Sequence, residues 1–266
     1  MKVLAGGQSL VPMLAFRLLR PSVLVDLNRI PELAGIRELE DGGLEVGAMT
    51  RTHELEVSPA VAERWPLARE AAPLIGHRQI RNRGTVGGSI AHADPAAELP
   101  AVAVASGATL AVQGPAGVRD IPAAEFFTGV FTTALGPGEL LTAIRIPRPP
   151  AGLGTAFSEV SRRLGDFALA GAAAAVVLDG DVCVDASLVL IGVDATPVAI
   201  PAAGDLLRGT SVTVEDAARV GEEARALVEP GSDQHATADY RRELAAVVAR
   251  RALLAATATS YRVRPG

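Results

Sequence analysis

The stretch that decides the fold is Arg81–Pro100, which reads RNRGTVGGSIAHADPAAELP. It starts with cationic side chains, passes through Gly84, Gly87 and Gly88, and ends in a run that holds two acids and two prolines. Glycine lets a backbone come close to a ligand and adopt a positive φ angle, so the amide groups of such a loop can converge on an anion. The part from Gly84 to Ser89, the central glycine segment, therefore predicts an anion site.

A second stretch of the same character lies near the start of the chain. This N-terminal glycine segment, Ala5–Leu10, reads AGGQSL and combines small residues with polar ones. Two such segments, far apart in one chain, predict a ligand with more than one phosphate. Neither contains the Gly-Lys-Ser/Thr of a P-loop or the G-x-G-x-x-G of a dinucleotide fingerprint. Two ordinary tight turns are the alternative that these residues leave open.

Composition excludes several classes of protein. The 266 residues suffice for one large domain or two smaller ones, and 49% hydrophobic with 21% charged residues argue against disorder. A net charge of -5, without a basic run that includes aromatic residues, argues against nucleic-acid binding. Neither an apolar stretch of membrane-spanning length nor a signal peptide is evident, so a cytoplasmic protein is expected.

The cysteine and histidine content limits the cofactors. With one cysteine, Cys183, the chain can form no intramolecular disulfide and can hold no iron–sulfur cluster on its own thiolates. Cys183 lies in the alternating run VCVD, which is typical of a half-buried strand. The four histidines, which show no metal-binding spacing, are His53, His77, His92 and His235. A metal site is not predicted.

The clearest break in composition is Arg148–Gly152, RPPAG, which predicts one domain over residues 1–149 and another over residues 150–266. The first domain holds both glycine segments, and the second shows strands followed by helices, an α+β pattern. The predicted strands are Leu44–Ala48, Ala108–Val112 and Leu140–Pro147, and a hairpin of Gly171–Leu178 with Ala186–Val193. The predicted helices are a short one capped by Thr52, one from Pro59 through Ala72 capped by Ser58, Val214–Val228 and Asp239–Ala256.

Three longer stretches carry a family resemblance. They are Ala5–Leu27 (AGGQSLVPMLAFRLLRPSVLVDL), Arg81–Pro100 and Arg162–Gly171 (RRLGDFALAG). Together they resemble the FAD-binding medium subunit of molybdenum hydroxylases, a family that includes the carbon monoxide dehydrogenase medium chain and the flavin domain of xanthine dehydrogenase. The similarity continues through Tyr240–Arg242 and Arg250–Leu253, so it covers essentially the whole chain.

The resemblance implies an α+β fold and a set of cofactor-binding residues. The fold is an FAD-binding domain of the vanillyl-alcohol-oxidase (PCMH) type, made of two α/β subdomains, with a smaller C-terminal α+β domain. The residues implied to hold the FAD pyrophosphate are Ala5, Gly6, Gly7, Gln8, Ser9 and Leu10 with Thr85, Val86, Gly87, Gly88 and Ser89. Those implied to lie nearer the flavin are Asp94, Glu98, Leu141, Phe157 and Asp166. No catalytic residue is implied.

Each assignment outside the glycine segments has a structural alternative. Asp94 is also suited to an Asx turn before Pro95, and Glu98 to the first turn of a helix. Leu141 reads as a strand residue of the core, and Phe157 as core packing. The adjacent arginines 162 and 163 are equally consistent with a solvated surface and with a partner contact.

Three departures from the family pattern are visible. The family has a strand and a helix before the N-terminal glycine segment, so we expect this chain to be unstable without such elements or to have a miscalled start. Ser89 stands where the family commonly has Asn or Asp. Phe157 stands where several members place a Tyr over the flavin.

The resemblance also implies a place in electron transfer. Electrons would pass from a molybdenum cofactor on a large subunit, through [2Fe–2S] clusters on a small subunit, to FAD on this chain. The acceptor would be a quinone, NAD or oxygen. A self-sufficient flavin oxidase or dehydrogenase is the main alternative, and a scaffold without cofactor is a second.

Overall fold

The computed structural model describes residues 1–262, with side chains through residue 260. The strands are β1 Lys2–Leu4, β2 Leu24–Asp26, β3 Ile36–Glu38, β4 Leu44–Gly47, β5 Thr109–Gly114, β6 Gly117–Pro122, β7 Phe127–Gly129, β8 Thr132–Thr133, β9 Leu140–Ile146, β10 Leu153–Ser161, β11 Ala168–Asp179, β12 Val182–Ile191 and β13 Val198–Ala199. The helices are α1 Leu10–Ala15, α2 Thr52–Val57, α3 Pro59–Arg64, α4 Pro66–Ala71, α5 Arg78–Arg81, α6 Val86–His92, α7 Glu98–Ala105, α8 Ala123–Phe126, α9 Ala202–Leu207, α10 Val214–Leu227 and α11 Ala238–Arg262. Two short 3-10 helices cover Pro31–Leu33 and Ala72–Leu74.

The first half contains three sheets. Strands β1 and β2 pair in parallel and support the N-terminal glycine segment, which follows β1 directly. A five-stranded antiparallel sheet has the order β3-β4-β9-β5-β6, and β7 and β8 form a small hairpin. Helix α6 packs on β9, the middle strand, so the central glycine segment lies against the centre of this sheet.

The second half is an antiparallel sheet of order β10-β11-β12-β13, covered on one face by α9 and α11, with α10 packed on these two helices. Its central strand β11 reads ALAGAAAAVVLD, a nearly continuous run of small apolar residues. Such a run fits because both faces are covered: Ala172 and Ala174 pack toward the helices, while Ala173 joins the core of the first half. One hydrophobic core therefore crosses from the first half into the second.

Most of the predicted elements are confirmed. The hairpin forms from β11 and β12 around the expected turn, and helices α10 and α11 match their predictions, although α11 continues beyond Ala256. Ser58 caps α3 as expected, since its hydroxyl accepts the amide hydrogen of Val61. The predicted strands correspond to β4, β5 and β9.

Three local predictions are wrong. The helix from Pro59 ends at Arg64, because Pro66 disfavours helical backbone at Trp65, and a new helix begins at Pro66. Thr52 is the first residue of α2 and Arg51 is its N-cap. The central glycine segment is not an open loop, because most of it forms the first turns of α6.

The glycines of α6 do not have the conformation that was expected of them. Neither Gly87 nor Gly88 adopts a positive φ angle. A Cβ atom at Gly87 would lie 2.7 Å from the Cα atom and 2.8 Å from the carbonyl oxygen of Ala48, so this glycine allows α6 to pack on the turn after β4. Gly87 is therefore needed for this contact within the protein. Among the described helices, none is long and apolar enough to cross a membrane.

Replacing Gly87 with Ala should destabilise the protein. The added methyl group pushes α6 away from Ala48, and such overpacking costs about 1–3 kcal/mol of unfolding free energy. Gly204, inside α9, is the matched control, since the nearest atom to an added Cβ is 3.5 Å away. Gly204→Ala should stabilise the protein by about 0.4–1 kcal/mol. Denaturant unfolding measures both, and equal stabilities of the two variants would contradict the packing role.

Candidate functional site

The two glycine segments meet in the folded chain. A Cβ atom at Gly6 would overlap the carbonyl oxygen of Arg83 and lie 2.8 Å from the Cα atom of Gly84. On the other side, a Cβ at Gly88 would lie 3.4 Å from the Cβ of Ala5. Only glycine at position 6 allows this backbone approach. Two segments separated by some eighty positions thus form one continuous surface.

An arginine and an asparagine tie the two segments together. The Arg51 guanidinium donates a hydrogen bond of 2.7 Å to the carbonyl oxygen of Arg83 and one of 2.8 Å to Oδ1 of Asn28. Asn28 in turn donates from Nδ2 to the carbonyl oxygen of Ala5 at 2.9 Å. Sequence reasoning missed Arg51 and Asn28, because each lies outside the glycine segments and no motif marks it.

The N-terminal glycine segment presents unused hydrogen-bond donors. Within the described part of the chain, the backbone amides of residues 6–9 donate no hydrogen bond. Gly7 has a φ angle of +75°, which turns the backbone so that successive amides can converge. Such a row of free N–H groups is a site for an anion, and it suits the phosphates of a dinucleotide cofactor.

The central glycine segment contributes in another way. The amides of Val86 and Gly87 donate to the carbonyl oxygens of Thr50 and Ala48, at 3.0 and 2.8 Å. The Gly88 amide donates to the Thr85 hydroxyl at 3.1 Å, which caps α6. The expectation that both segments offer free amides therefore holds only for the first. The backbone amides in the first turn of α6 donate to acceptors inside the protein, so the second segment contributes a tightly packed surface rather than free donors.

Two acids follow α6. Asp94 forms the Asx turn that its position before Pro95 suggests, since its Oδ1 accepts the amide hydrogen of Ala96 at 2.9 Å. Glu98 is the first residue of α7 and is only 6% exposed. Burial raises the pKa of the Glu98 carboxyl to about 8, and repulsion by Glu159 and Asp94 adds to this shift. This acid is therefore largely protonated at neutral pH.

Strand β10 brings three further side chains to the junction, the boundary between the two halves of the chain where Glu98 lies. Thr155 and Phe157 are anchored by Glu70 of α4, whose carboxylate accepts from the Thr155 hydroxyl at 2.7 Å and from the Phe157 amide at 3.2 Å. Phe157 itself packs against the core of the first half. Burial raises the pKa of the third side chain, Glu159, to about 7. Sequence reasoning did not find Glu70 or Glu159.

The remaining predicted residues lie in two different settings. Leu141 is 3% exposed and belongs to the core beneath α6, as its strand position suggests. Asp166 lies in the loop between β10 and β11, 3.6 Å from Arg162, and the neighbouring Gly165 packs on His77. The structure thus joins the two glycine segments directly and places Asp94, Glu98 and Phe157 between the two halves. It shows no contact of Asp166 with the glycine segments.

Family models match both halves of the chain. Residues 1–149 match the model described as FAD binding domain in molybdopterin dehydrogenase. Residues 155–256 match the model described as CO dehydrogenase flavoprotein C-terminal domain. The chain belongs to the FAD-binding subunits of molybdenum hydroxylases. Its cofactor is FAD, and it is an oxidoreductase subunit.

Individual relatives agree with this membership over nearly the full chain. The "6-hydroxypseudooxynicotine dehydrogenase complex subunit alpha" of Paenarthrobacter nicotinovorans is 42% identical, covering 99% of this chain and 88% of the relative. The "Carbon monoxide dehydrogenase medium chain" of Afipia carboxidovorans is also 42% identical, covering 94% and 86%. The solved structure of reconstituted CO dehydrogenase from Oligotropha carboxidovorans matches with a TM-score of 0.94 at 41% identity, covering 97% of this chain and 90% of that one. The FAD-binding and C-terminal domain fold is thereby confirmed.

The raised pKa of Glu98 predicts that the free energy of unfolding falls as pH rises. Between the usual glutamate pKa of 4.5 and about 8, folded Glu98 keeps a proton that the unfolded chain loses. The folded state then binds more protons, so unfolding free energy decreases by up to about 1.4 kcal/mol per pH unit from this group. In the Glu98→Gln variant, the free energy of unfolding should decrease less steeply with pH. Denaturant unfolding from about pH 5 to about pH 8 measures it.

The control for this measurement is Glu63→Gln, because the Glu63 side chain is 71% exposed. That variant should keep the wild-type pH dependence. A Glu98→Gln protein whose stability declines with pH as steeply as the wild type would show that Glu98 is not the group that holds the proton.

Proposed function

We propose that this chain is the flavoprotein of a three-part molybdenum hydroxylase, with residues 1–149 holding FAD and residues 150–266 forming the C-terminal domain. It takes electrons from [2Fe–2S] clusters on a small partner subunit, which receive them from a molybdenum cofactor on a large subunit. It passes them to an external quinone, NAD or oxygen. The row of free amides in residues 6–9, held against the central glycine segment, is the observation that carries the FAD site.

The chain's own residues bind and orient the cofactor in this proposal. The amides of the N-terminal glycine segment neutralise the phosphates, while Thr85 and Gly88 keep α6 capped and close to them. The residues that we propose to line the cofactor are Ala5–Leu10, Thr85–Ser89, Asp94, Glu98, Leu141, Phe157 and Asp166. Bound FAD supplies the conversion between one-electron and two-electron transfer. We assign no catalytic residue.

The cysteine content supports a separate cluster-bearing subunit. Cys183 is 1% exposed, and burial raises the pKa of its thiol, so it is poorly suited to bind a metal. Iron–sulfur clusters need several thiolates, and this sequence has one cysteine. We therefore propose that the iron–sulfur donor to FAD belongs to another chain, in a complex that we place in the cytoplasm.

The comparison also supports a substrate site outside this chain. Two relatives with the same 42% identity are named for 6-hydroxypseudooxynicotine and for carbon monoxide, which share no chemistry. One is called a complex subunit and the other a medium chain. A flavin subunit that serves unlike substrates fits the proposal that substrate recognition lies on the large subunit.

Gly7→Ala should weaken FAD binding. The substitution forces a side chain into a left-handed backbone and places its Cβ 3.1 Å from Val11, so the free amides turn away from the phosphates. Gly107→Ala is the matched control, since Gly107 is also left-handed (φ +61°) but has open space around it. Both variants should lose about 1–2 kcal/mol of stability, but only the first should lose FAD affinity, by roughly tenfold or more. Equal FAD affinities by fluorescence titration would contradict the site.

Isolation of the complex from its host tests the subunit proposal. We expect the chain to co-purify with a large molybdenum subunit and a small iron–sulfur subunit. Acid precipitation should release the yellow flavin into the supernatant, because neither glycine segment contains a cysteine or histidine for covalent attachment. A chain that purifies alone with FAD and oxidises a substrate by itself would favour the self-sufficient oxidase instead.

A further inference from the structure

We propose that a cavity between the two halves of the chain, at the C-terminal end of α7, is a second ligand site, which binds a compact carboxylate with an apolar body. The cavity has a volume of about 350 Å³. Small-molecule sites usually have roughly 300–1,000 Å³ and form preferentially where two domains meet. The inference goes beyond the proposed electron-transfer function and does not depend on the FAD site.

The sheet of the second half forms the floor of this cavity. Two rows of paired residues cross β10, β11 and β12 there: Leu153, Val177 and Asp185 in one, and Thr155, Ala175 and Ser187 in the other. Side chains two positions apart on a strand share a face, so Ala175 points to the same side as Ala173, which belongs to the core of the first half. Because the middle residue of the second row is only an alanine, the centre of the floor stays open.

The first half covers the cavity from the other side. Residues 104–107 at the end of α7 and residues 65–67 around the start of α4 form this wall, which is mostly apolar. Glu98 begins α7, and Val104 follows six positions later, so about 9 Å of helix separates the cavity from Glu98. The cavity is therefore distinct from the surface that we propose for FAD.

Three polar side chains of the lining have hydrogen-bond donors that the protein does not use. The Ser106 hydroxyl accepts from Nε1 of Trp65 at 2.9 Å, but within the described part of the chain it donates to no acceptor. The Ser187 hydroxyl and the Arg148 guanidinium form no hydrogen bond to any described residue. By contrast, the Thr155 hydroxyl already donates to Glu70. The lining thus offers one cationic donor and two hydroxyl donors to a ligand.

Arg148 supplies the charge that favours an anion. Its side chain packs on the turn between β3 and β4, where a Cβ atom at Gly42 would lie 3.0 Å from its Cδ atom. Arg64 reaches the same turn and donates to the carbonyl oxygen of Gly42 at 2.8 Å, but its charge is paired with Glu38 at 2.7 Å. Arg148 forms no ion pair among the residues that the structure describes.

The apolar walls and the unpaired charge together indicate the class of ligand. Asp185, the one acid in the lining, lies 3.5 Å from Arg208, so a cation already opposes its charge. A neutral apolar molecule would leave the guanidinium unpaired, and a small inorganic anion would leave the apolar walls in water. A carboxylate with an apolar body satisfies both, because it accepts charge-assisted hydrogen bonds while its body is buried.

The test titrates 2-naphthoate into the full chain by isothermal titration calorimetry. 2-Naphthylmethanol keeps the rings without the charge, and acetate keeps the charge without the rings. Each should bind at least roughly tenfold more weakly than 2-naphthoate. Arg148→Gln should weaken 2-naphthoate binding by roughly tenfold and leave the affinity for the alcohol unchanged. Arg250→Gln is the matched control, since it removes an exposed arginine of α11 outside the cavity, and it should keep the wild-type affinity.

Trp65 gives a second readout that is specific to the cavity. It is the one tryptophan of the chain, and it belongs to the lining. When 5-fluorotryptophan replaces it, the single ¹⁹F resonance should shift as 2-naphthoate is added. Ala175→Leu, which fills the floor, should abolish both the shift and the binding. Circular dichroism checks the fold of each variant.

A folded wild-type chain that does not bind 2-naphthoate overturns the inference. An affinity that Arg148→Gln does not change also overturns it, and because Arg148 is exposed, this variant decides the test even if Ala175→Leu does not fold. Equal affinities for 2-naphthoate and 2-naphthylmethanol overturn the proposed ligand class. None of these results bears on FAD binding, which the Gly7→Ala variant tests separately.

Discussion

The contact between Gly6 and the backbone at Arg83 and Gly84 is the constraint on which the site depends. Because no side chain fits at position 6, the segment after β1 can lie directly on the segment before α6. Arg51 and Asn28 lock this approach with hydrogen bonds to backbone carbonyl groups on both sides. The amides of residues 6–9 are consequently left without protein acceptors, and that unmet donor capacity is what suits the surface to the phosphates of FAD.

The second half of the chain completes the site from the other side. Its sheet is buried on both faces: α4 packs on β10 and α7 packs on β11 and β12, while α11 covers the other face of β10 and β11. Every acid that this junction buries, Glu70, Glu98 and Glu159, has a raised pKa caused first by burial. The end of the site that we propose for the flavin is therefore a low-dielectric environment that favours neutral groups, whereas the end that we propose for the phosphates is rich in backbone N–H donors.

Local patterns made much of the fold predictable, while the site depended on contacts that a sequence pattern does not encode. The β11–β12 hairpin and helices α10 and α11 followed from turn residues and periodicity, and both glycine segments were recognised from their composition and family likeness. The helical conformation of Gly87 and Gly88 was missed, because it depends on packing against Ala48, a contact distant in sequence. The buried position of Glu159 was missed for the same reason, because it depends on the pairing of Glu159 with Gly171 in the neighbouring strand.

Hydrogen–deuterium exchange of the complete complex, with and without FAD, tests the central claim most directly. The free amides of residues 6–9 should exchange rapidly without the cofactor and become strongly protected when FAD is bound. The amides of residues 86–88 already donate inside the protein, so their protection should change little. Unchanged exchange at residues 6–9 on FAD binding, with new protection elsewhere in the chain, would contradict the proposed role of the N-terminal glycine segment.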